Sequence, residues 1–187
     1  MKHLLILVFV SAMIISCNDK AATTGSDASK DTATATAAVP EETITYAYAL
    51  DSPYRDWQPG DKKHAAMVMK SLKAYEDGDI ASCITAFGDS VSVRFDGFST
   101  RVNRDSLQKI LTDSRQQVAS TKVHMQDWES VISKDKKHEY VTLWYKEVTT
   151  DKKGKTDSLA IVDDLKIVNG KIVELDQKIQ HYPSKKM

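Results

Sequence analysis

Two stretches near residue 75 carry apolar side chains at the spacing of an amphipathic helix. In residues 67–75 such side chains recur three and four positions apart, and residues 80–87 repeat the pattern. Asp61 and Asp79 stand just before the two stretches, where a carboxylate can accept hydrogen bonds from the free N–H groups of a first helical turn. Gly78 can adopt the positive φ that ends a helix. The pattern therefore predicts a long helix, a tight break and a short helix.

Alternating apolar and polar residues then predict a sheet. Residues 91–95 have the period of a half-buried strand, and Asp96-Gly97 is typical of a turn. Asn103 can cap a third helix that ends near Ser120. Four strand-like stretches follow, at 123–133, 139–149, 158–168 and 171–180. The last two are joined by Asn169-Gly170, a strong hairpin signal. Helices followed by a long meander predict an α+β fold, with N-terminal helices packed against a curved, mostly antiparallel sheet.

The amino terminus has the features of an export signal. After a basic start, the apolar stretch 4–15 has the length of a secretory h-region and is too short to span a bilayer. It ends in Ile14-Ile15-Ser16-Cys17, which resembles the lipobox of bacterial lipoproteins. The resemblance implies cleavage before Cys17, acylation of that residue with chains such as palmitate, and anchoring to the lipid bilayer. Asn18 favours the outer membrane over the inner one, with the domain in the periplasm or at the cell surface. The alternative is a free thiol at the end of an uncleaved anchor.

The segment between Cys17 and the first helix changes in composition. It begins with small and polar residues, which predict a disordered tether. It continues with aromatic residues that include Tyr54 and Trp57, and we interpret this part as a strap that packs across the domain. The alternative is a lid that these two side chains form over a pocket. The predicted divisions are a signal peptide (1–16), a lipidated tether (17–45), an aromatic strap (46–61), a domain (62–182) and a tail (183–187).

Composition limits the classes of function. The 187 residues include 26 basic and 26 acidic side chains, so the net charge is zero and no nucleic-acid partner is expected. The only cysteines are Cys17 and Cys83. Lipidation of the first leaves the second without a disulfide partner, so Cys83 is expected to be a small buried residue. The histidines are scattered without the spacing of metal ligands, and neither a metal nor a cofactor is predicted.

Three motifs resemble the NTF2-like superfamily, in particular its SnoaL-like branch. They are residues 72–80 (LKAYEDGDI), 86–91 (AFGDSV) and 167–174 (IVNGKIVE). The resemblance covers about residues 62–180 and implies a cone-shaped α+β barrel around a pocket, often dimeric through its sheet. The superfamily includes ketosteroid isomerases, polyketide cyclases, dehydratases and proteins that only bind. By this resemblance the oxyanion donor and the general base of the isomerases fall at about Ser71 and Phe95, and neither residue type can perform those roles.

Acidic residues of the predicted sheet are the candidates for chemistry. Counting outward from the turns places Trp144 opposite Asp127 and Asp163, and Asp163 opposite Asp176. Because Asp163 and Asp164 are adjacent, one of them points into the cone whichever face lies inside. A carboxylate in an apolar pocket has a raised pKa, which suits proton transfer near neutrality. Asp163 is therefore the candidate acid or base. The alternative is that both aspartates face solvent or pair with lysines.

These observations predict a membrane-anchored lipoprotein whose domain binds a small apolar ligand or an envelope protein without catalysis. One alternative is an isomerase, cyclase or dehydratase that uses Asp163, and another is a dimerising structural module. The expected pocket residues, besides Asp163, are Trp144, Asp176, Tyr75 and Trp57. The lining of the cone discriminates between these functions, because converging polar groups favour catalysis, an apolar lining favours binding and a filled cone favours assembly.

Overall fold

The computed structural model describes residues 45–48 and 56–181. The chain divides into two units, 1–47 and 48–187, and the second contains all the helices and strands given below. Several predictions fall outside the described residues. They concern the signal peptide, Cys17, most of the tether, Tyr54 and the tail. No helix in the described part is long and apolar enough to cross a membrane.

Three helices form where the sequence predicts them. They are α1 (Lys62–Asp77), α2 (Ile80–Ile84) and α3 (Arg104–Gln116). The side chains of Asp61, Asp79 and Asn103 each accept a hydrogen bond from a backbone N–H of the turn that follows, which confirms all three predicted caps. Gly78 ends α1 with a φ of +82°, also as predicted. The helices α2 and α3 end earlier than predicted, at Ile84 and Gln116. The reason is that the following strands already begin at Phe87 and Val118, so that Ser120, the expected end of α3, lies in a strand.

Seven strands form one sheet in the order β1-β4-β5-β6-β7-β2-β3. They are β1 (Trp57–Pro59), β2 (Phe87–Phe95), β3 (Phe98–Asn103), β4 (Val118–Ser133), β5 (Glu139–Asp151), β6 (Thr156–Val168) and β7 (Lys171–His181). Neighbouring strands are antiparallel except for β2 and β7, which are parallel. The predicted α+β class with a curved, mostly antiparallel sheet is confirmed, as is the meander of the last four strands. The strands β1 and β3, at the two edges of the sheet, were not predicted.

The register between β5 and β6 differs from the predicted one by one residue. Trp144 pairs with Asp127 as predicted, but its partner on β6 is Val162 and not Asp163. The loop 151–155 is the reason, since it has five residues between the last paired positions where an even number was predicted. A shift of one residue exchanges the two faces of a strand relative to its neighbour. Trp144 and Asp163 therefore lie on opposite faces of the sheet.

A β-bulge moves the register between β6 and β7. Close to the Asn169-Gly170 turn, whose φ angles of 51° and 69° are both positive, pairing follows the prediction. Further along, β7 carries one extra residue, Val173, and Asp163 then pairs with Gln177 instead of Asp176. The extra residue brings Gln177 to the face of Asp163 and places Asp176 on the other face.

The core lies between the three helices and one face of the sheet, which we call the inner face. Ala65 and Val68 of α1 are buried there, as are all the apolar residues at the predicted spacing in α2. Cys83 is one of them and is a free, buried thiol, as predicted. The apolar stripes of the helices therefore face the meander across a shared interior.

Candidate functional site

A cavity of about 350 Å³ opens between the helices and the inner face of the sheet. Its volume is within the range of small-molecule sites and is roughly twice that of a cavity that accepts benzene. The apolar lining residues are Val68, Leu72, Phe87, Phe95, Ile110, Leu111, Leu143, Leu165, Ile172 and Leu175. The remaining lining residues are Ser71, Tyr75, Cys83, Ser114, Tyr145, Glu147, Asp163 and Gln177. The wall is thus mostly hydrocarbon with a small set of polar groups.

Local geometry explains why these side chains meet. The contributions of α1 recur three and four residues apart and lie on one helical face. On β5, Leu143, Tyr145 and Glu147 are alternate residues and share the inner face. On β7, Ile172 and Leu175 both reach the cavity although they are three residues apart, because the bulge between them adds a residue. The same bulge determines the polar end of the cavity.

Asp163 is the most deeply buried acidic group of the cavity. Its exposed fraction is 5%, and its Oδ2 accepts a hydrogen bond of 2.8 Å from the hydroxyl of Tyr145. The amide of Gln177 donates to that same hydroxyl at 3.4 Å. The other carboxylate oxygen, Oδ1, is also buried and accepts no hydrogen bond from any residue of the described part. A buried oxygen without a donor is costly, so this atom can readily accept a hydrogen bond from a bound molecule.

Burial controls the acidity of this cluster. It raises the pKa of Asp163 to about 6, and the hydrogen bond from Tyr145 limits the rise. The pKa of the Tyr145 hydroxyl lies well above 10, because burial and then the charge of Asp163 disfavour the phenolate. Burial also raises the pKa of Glu147. Near neutrality Asp163 can therefore hold or release a proton, whereas Tyr145 remains a hydrogen-bond donor.

The helical wall of the cavity is less polar. The Tyr75 hydroxyl and Ser114 Oγ lie 3.1 Å apart and join α1 to α3. Ser71 donates from its Oγ to the carbonyl oxygen of Cys83 at 2.9 Å, and burial raises the pKa of the Cys83 thiol. A thiol held in its protonated form is a poor nucleophile. Ser71 and Phe95, which the superfamily resemblance places at the isomerase positions, both line the cavity.

The structure brings two of the predicted pocket residues together, Asp163 and Tyr75. The predicted placement of Trp144 is wrong, because the register of β5 puts it on the outer face, beside Val162 and Lys178 in a shallow depression. The placement of Trp57 is also wrong. It lies on β1, where its ring meets that of Tyr140 edge-on at 5.8 Å and does not line the cavity.

Asp176 was also expected in the pocket, and this prediction is wrong as well. The bulge of β7 turns its carboxylate to the outer face, where Oδ2 accepts hydrogen bonds from Arg94 at 3.2 Å and from Lys178 at 3.3 Å. Asp164 accepts from the same lysine at 2.6 Å. The alternative that the adjacent aspartates pair with Lys166 or Lys178 thus holds for Asp164, which pairs with Lys178. It does not hold for Asp163, which lies on the inner face.

Sequence reasoning missed three polar residues on the sheet side of the cavity, namely Tyr145, Glu147 and Gln177, and one on the helical side, Ser114. The first two follow Leu143 by two and four residues, so strand alternation alone could have assigned them to one face. Gln177 was not accessible in this way, because its orientation depends on the bulge. Within residues 45–48 and 56–181, no group of three or more His, Cys, Asp or Glu side chains is arranged to hold a metal ion.

Comparison with known proteins identifies the fold. No protein-family model matches this sequence, and no curated protein matches it either. Among solved structures, an LEH-like epoxide hydrolase from M. tuberculosis superposes with a TM-score of 0.54 at 14% identity, covering 66% of this chain and 82% of that one. TerC, co-crystallised with polyporic acid, gives 0.52 at 14% identity, covering 63% and 91%. An NTF2-like protein of unknown function from Burkholderia pseudomallei gives 0.50 at 15% identity, covering 63% and 90%.

These similarities are at the level of the fold, since every identity is low. The described domain has the NTF2-like cone fold, which confirms the resemblance found in the three sequence motifs. The same architecture carries different activities, so the residues of the cavity and not the fold must decide the function.

Proposed function

We propose that this NTF2-like domain binds a small, mainly apolar organic molecule in its cavity, and that Asp163 contacts the polar group of that molecule. The observation that carries the proposal is the buried Asp163 carboxylate, whose Oδ1 accepts no hydrogen bond within the described part of the chain. A ligand donor at this atom would remove the cost of an unsatisfied buried oxygen. The cavity of about 350 Å³ gives such a ligand room.

The apolar wall supplies the expected affinity. Transfer of hydrocarbon from water contributes about 25 cal/mol for each Å² that is buried, and ten of the lining residues are apolar. A few polar groups in a mostly apolar cleft are typical of small-molecule sites. The structural neighbour TerC was co-crystallised with polyporic acid, which is consistent with this proposal.

Calorimetric titration with 3-phenyl-1-propanol tests the proposal. The full chain carries Cys17→Ser, so that no attached acyl chain competes for the cavity. Ile110→Trp fills the cavity from α3, and Leu72→Trp does so from α1 should the first variant fold poorly. Val168→Trp is the matched control, because Val168 is exposed at the end of β6. We expect saturable binding that the control retains and the filled variants lose. Absence of saturable binding, or its survival in folded Ile110→Trp, would overturn the proposal.

A second candidate function is proton transfer by Asp163. The pKa of about 6 favours it, because such a carboxylate can accept a proton near neutrality. The Tyr145 hydroxyl donates its one hydrogen to Asp163 beforehand and would redirect it to the oxyanion once Asp163 is protonated. The test is exchange of the α-hydrogens of 4-phenyl-2-butanone in D2O, in which Asp163 takes the proton and a deuteron from solvent replaces it. Exchange that is faster with the native protein than with Asp163→Asn supports catalysis. Equal exchange rates for the two proteins would contradict catalysis by Asp163 and would leave ligand binding as the proposed function.

For the amino terminus, the proposal is that Cys17 is lipidated and holds the domain at the cell envelope, in the outer membrane rather than the inner one. Its support is the motif at 14–17 directly after the apolar stretch 4–15. Labelling cells with an alkynyl palmitate analogue tests it. The native chain and the Cys83→Ser control should take up label, and Cys17→Ser should not. Label that persists in Cys17→Ser would contradict the proposal. The homodimer through the sheet stays a prediction.

A further inference from the structure

The charges of the cavity lining point to the chemical class of the ligand. We infer that the cavity selects molecules that carry a protonated nitrogen on an apolar skeleton of one or two ring-sized groups. This inference rests on the proposed binding function and adds the identity of the polar group. It follows from three features of the described lining, which are its charge, its unsatisfied acceptor and its aromatic residues.

The lining is acidic without a compensating base. Glu147 and Asp163 both line the cavity, and none of the described residues that line it is Lys, Arg or His. The basic side chain of Arg115 acts on Tyr75 from outside the lining. Its guanidinium donates to the carbonyl oxygens of Glu76 and Val118, both at 3.4 Å. A ligand with a negative charge would therefore face two carboxylates with no cation among the described lining residues, whereas a positive charge would be attracted by both.

The unsatisfied carboxylate oxygen favours a donor that carries a positive charge. Asp163 is 5% exposed, and its Oδ1 accepts no hydrogen bond from the described residues. An alcohol supplies one donor, whereas an ammonium group supplies three and makes charge-assisted hydrogen bonds of about twice the strength. The ammonium group would also offset the unfavourable burial of the ionised carboxylate. Either donor can satisfy Oδ1, but the protonated amine does so with a charge-assisted hydrogen bond and brings the opposite charge to the carboxylate.

Aromatic residues of the lining favour the same class. Phe87 and Phe95 of β2 line the cavity, together with Tyr75 of α1 and Tyr145 of β5. The face of an aromatic ring attracts a cation within about 6 Å of its centre. An ammonium group in this cavity thus has both carboxylates and rings among its neighbours, and the hydrocarbon skeleton has the aliphatic wall.

The titratable groups around the cavity give the inference a pH signature. They are Tyr75 from α1, Cys83 from α2, Tyr145 and Glu147 from β5, and Asp163 from β6, with Asp164 next to it on the outer face. Tyrosine and thiol groups stay protonated at neutral pH, so the carboxyls carry the change. Affinity for an amine should rise as the pH increases from 5 to 7.5, because Asp163 ionises in this interval.

Three probes with one skeleton test the inference, namely 3-phenylpropylamine, 3-phenyl-1-propanol and 3-phenylpropionate. Each is titrated calorimetrically into the full chain carrying Cys17→Ser at pH 7.5, where the amine is protonated as lysine is. We expect the amine to bind about tenfold more tightly than the alcohol, and the carboxylate to bind most weakly. Amine binding that is no tighter than alcohol binding overturns the inference, while saturable alcohol binding still supports the proposed function. If no probe binds, both fail.

Two matched variants test whether the Asp163 carboxylate causes the preference for the amine over the alcohol. Asp163→Asn keeps the shape of the side chain and removes its charge, so the amine should lose its advantage over the alcohol. Asp164→Asn makes the same change one residue along, on the outer face, where its carboxylate accepts from Thr142 at 2.7 Å and Lys178 at 2.6 Å. This control should keep the preference. An equal loss in both variants, or no loss in folded Asp163→Asn, would contradict the role of Asp163.

Discussion

Tyr145 and Asp163 lie diagonally across the β5–β6 ladder and are joined by a hydrogen bond of 2.8 Å on the inner face of the sheet. The direct partners are Leu143 for Asp163 and Ile161 for Tyr145. Diagonal neighbours are within reach of an aromatic side chain, so the hydroxyl meets the carboxylate without disturbing the ladder. This pair defines the polar end of a mostly apolar cavity. It should therefore influence both the stability of the domain and the binding of a ligand.

The burial of Asp163 should make stability fall as the pH rises. With a pKa of about 6 in the folded state and an ordinary value of 3.8, the folded chain keeps a proton that the unfolded chain releases between about pH 4 and pH 6. Stability is then greatest below this interval and is reduced above it. Relative to Asp163→Asn, the native protein should lose up to about 3 kcal/mol of unfolding free energy between pH 4 and pH 7.5, since each pKa unit corresponds to about 1.4 kcal/mol.

Urea unfolding at several pH values measures this difference. Asp164→Asn is the control, because its carboxylate lies on the outer face beside Lys178. Its pH profile should follow that of the native protein over the same interval. Parallel profiles for the native protein and Asp163→Asn would show that Asp163 ionises with an ordinary pKa.

Removing the Tyr145 hydroxyl should weaken the domain and change the acidity of Asp163. The variant Tyr145→Phe should lose about 1–3 kcal/mol of unfolding free energy, with the larger loss above pH 6, because the hydroxyl then donates to a charged acceptor. The pKa of Asp163 should rise, since the donor that favours the carboxylate is gone. Carbon-13 NMR titration of the carboxyl group measures the shift. Tyr140→Phe removes a hydroxyl from the outer face and should leave the pKa of Asp163 unchanged. Equal shifts in the two variants would contradict this role.

The buried carboxylate of Glu76 should stabilise the packing of α1 against β4 through its hydrogen bonds. It is 7% exposed and accepts hydrogen bonds from Lys73 at 3.0 Å, from Lys122 at 3.2 Å and from the backbone N–H of Val123 at 3.3 Å. Burial alone would raise its pKa, but these donors outweigh burial and lower it. Its contribution is therefore present above the unfolded pKa and is lost as the pH falls. Glu76→Gln should cost about 1–3 kcal/mol at pH 7.5 in urea unfolding.

Asp77→Asn is the matched control for Glu76. Asp77 is exposed and pairs with Lys73 at 2.6 Å on the helix surface, so its loss should cost less than about 0.5 kcal/mol. If both substitutions cost the same, the link between α1 and β4 would not depend on the buried carboxylate.

The stability of the turn between α1 and α2 should depend on Gly78. Gly78 has a φ of +82°, and its N–H donates to the carbonyl oxygens of Ala74 and Tyr75 in the last turn of α1. Gly78→Ala should cost about 1 kcal/mol, because a Cβ is disfavoured in the left-handed region. Gly88→Ala is the control, since the φ of Gly88 is outside this region and the added Cβ would lie 3.4 Å from Val173. Thermal unfolding compares the two, and a larger loss for Gly88→Ala would contradict the prediction.

The starts of the three helices and the end of α1 could be predicted because local interactions determine them. Asp61, Asp79 and Asn103 cap helices through hydrogen bonds to residues two or three positions away, and Gly78 ends α1 through its own backbone freedom. The hairpin at Asn169-Gly170 is local in the same sense. These signals, together with the three motifs, were sufficient to identify the NTF2-like fold.

The site was predictable only in part, because side-chain orientation in a sheet depends on register. The sequence shows that one of two adjacent aspartates points inward. The five-residue loop decides that Asp163 shares the inner face with Leu143 and Tyr145. The bulge at Val173 decides that Gln177 joins them instead of Asp176. Neither feature has a strong sequence signal, since the packing of the sheet determines both. The same one-residue shifts explain the errors at Trp144 and Asp176, which were assigned to the cavity and lie on the outer face.

Binding of a small organic molecule in the cavity beside Asp163 can be followed residue by residue. The most direct test is a methyl NMR titration of the full chain carrying Cys17→Ser with 3-phenyl-1-propanol. We expect saturable shifts for the methyl groups of Leu143, Leu165 and Ile172, which line the cavity. The methyl groups of Val162, on the outer face, should not change. Shifts confined to Val162, or shifts that do not saturate at any site, would contradict binding in the cavity.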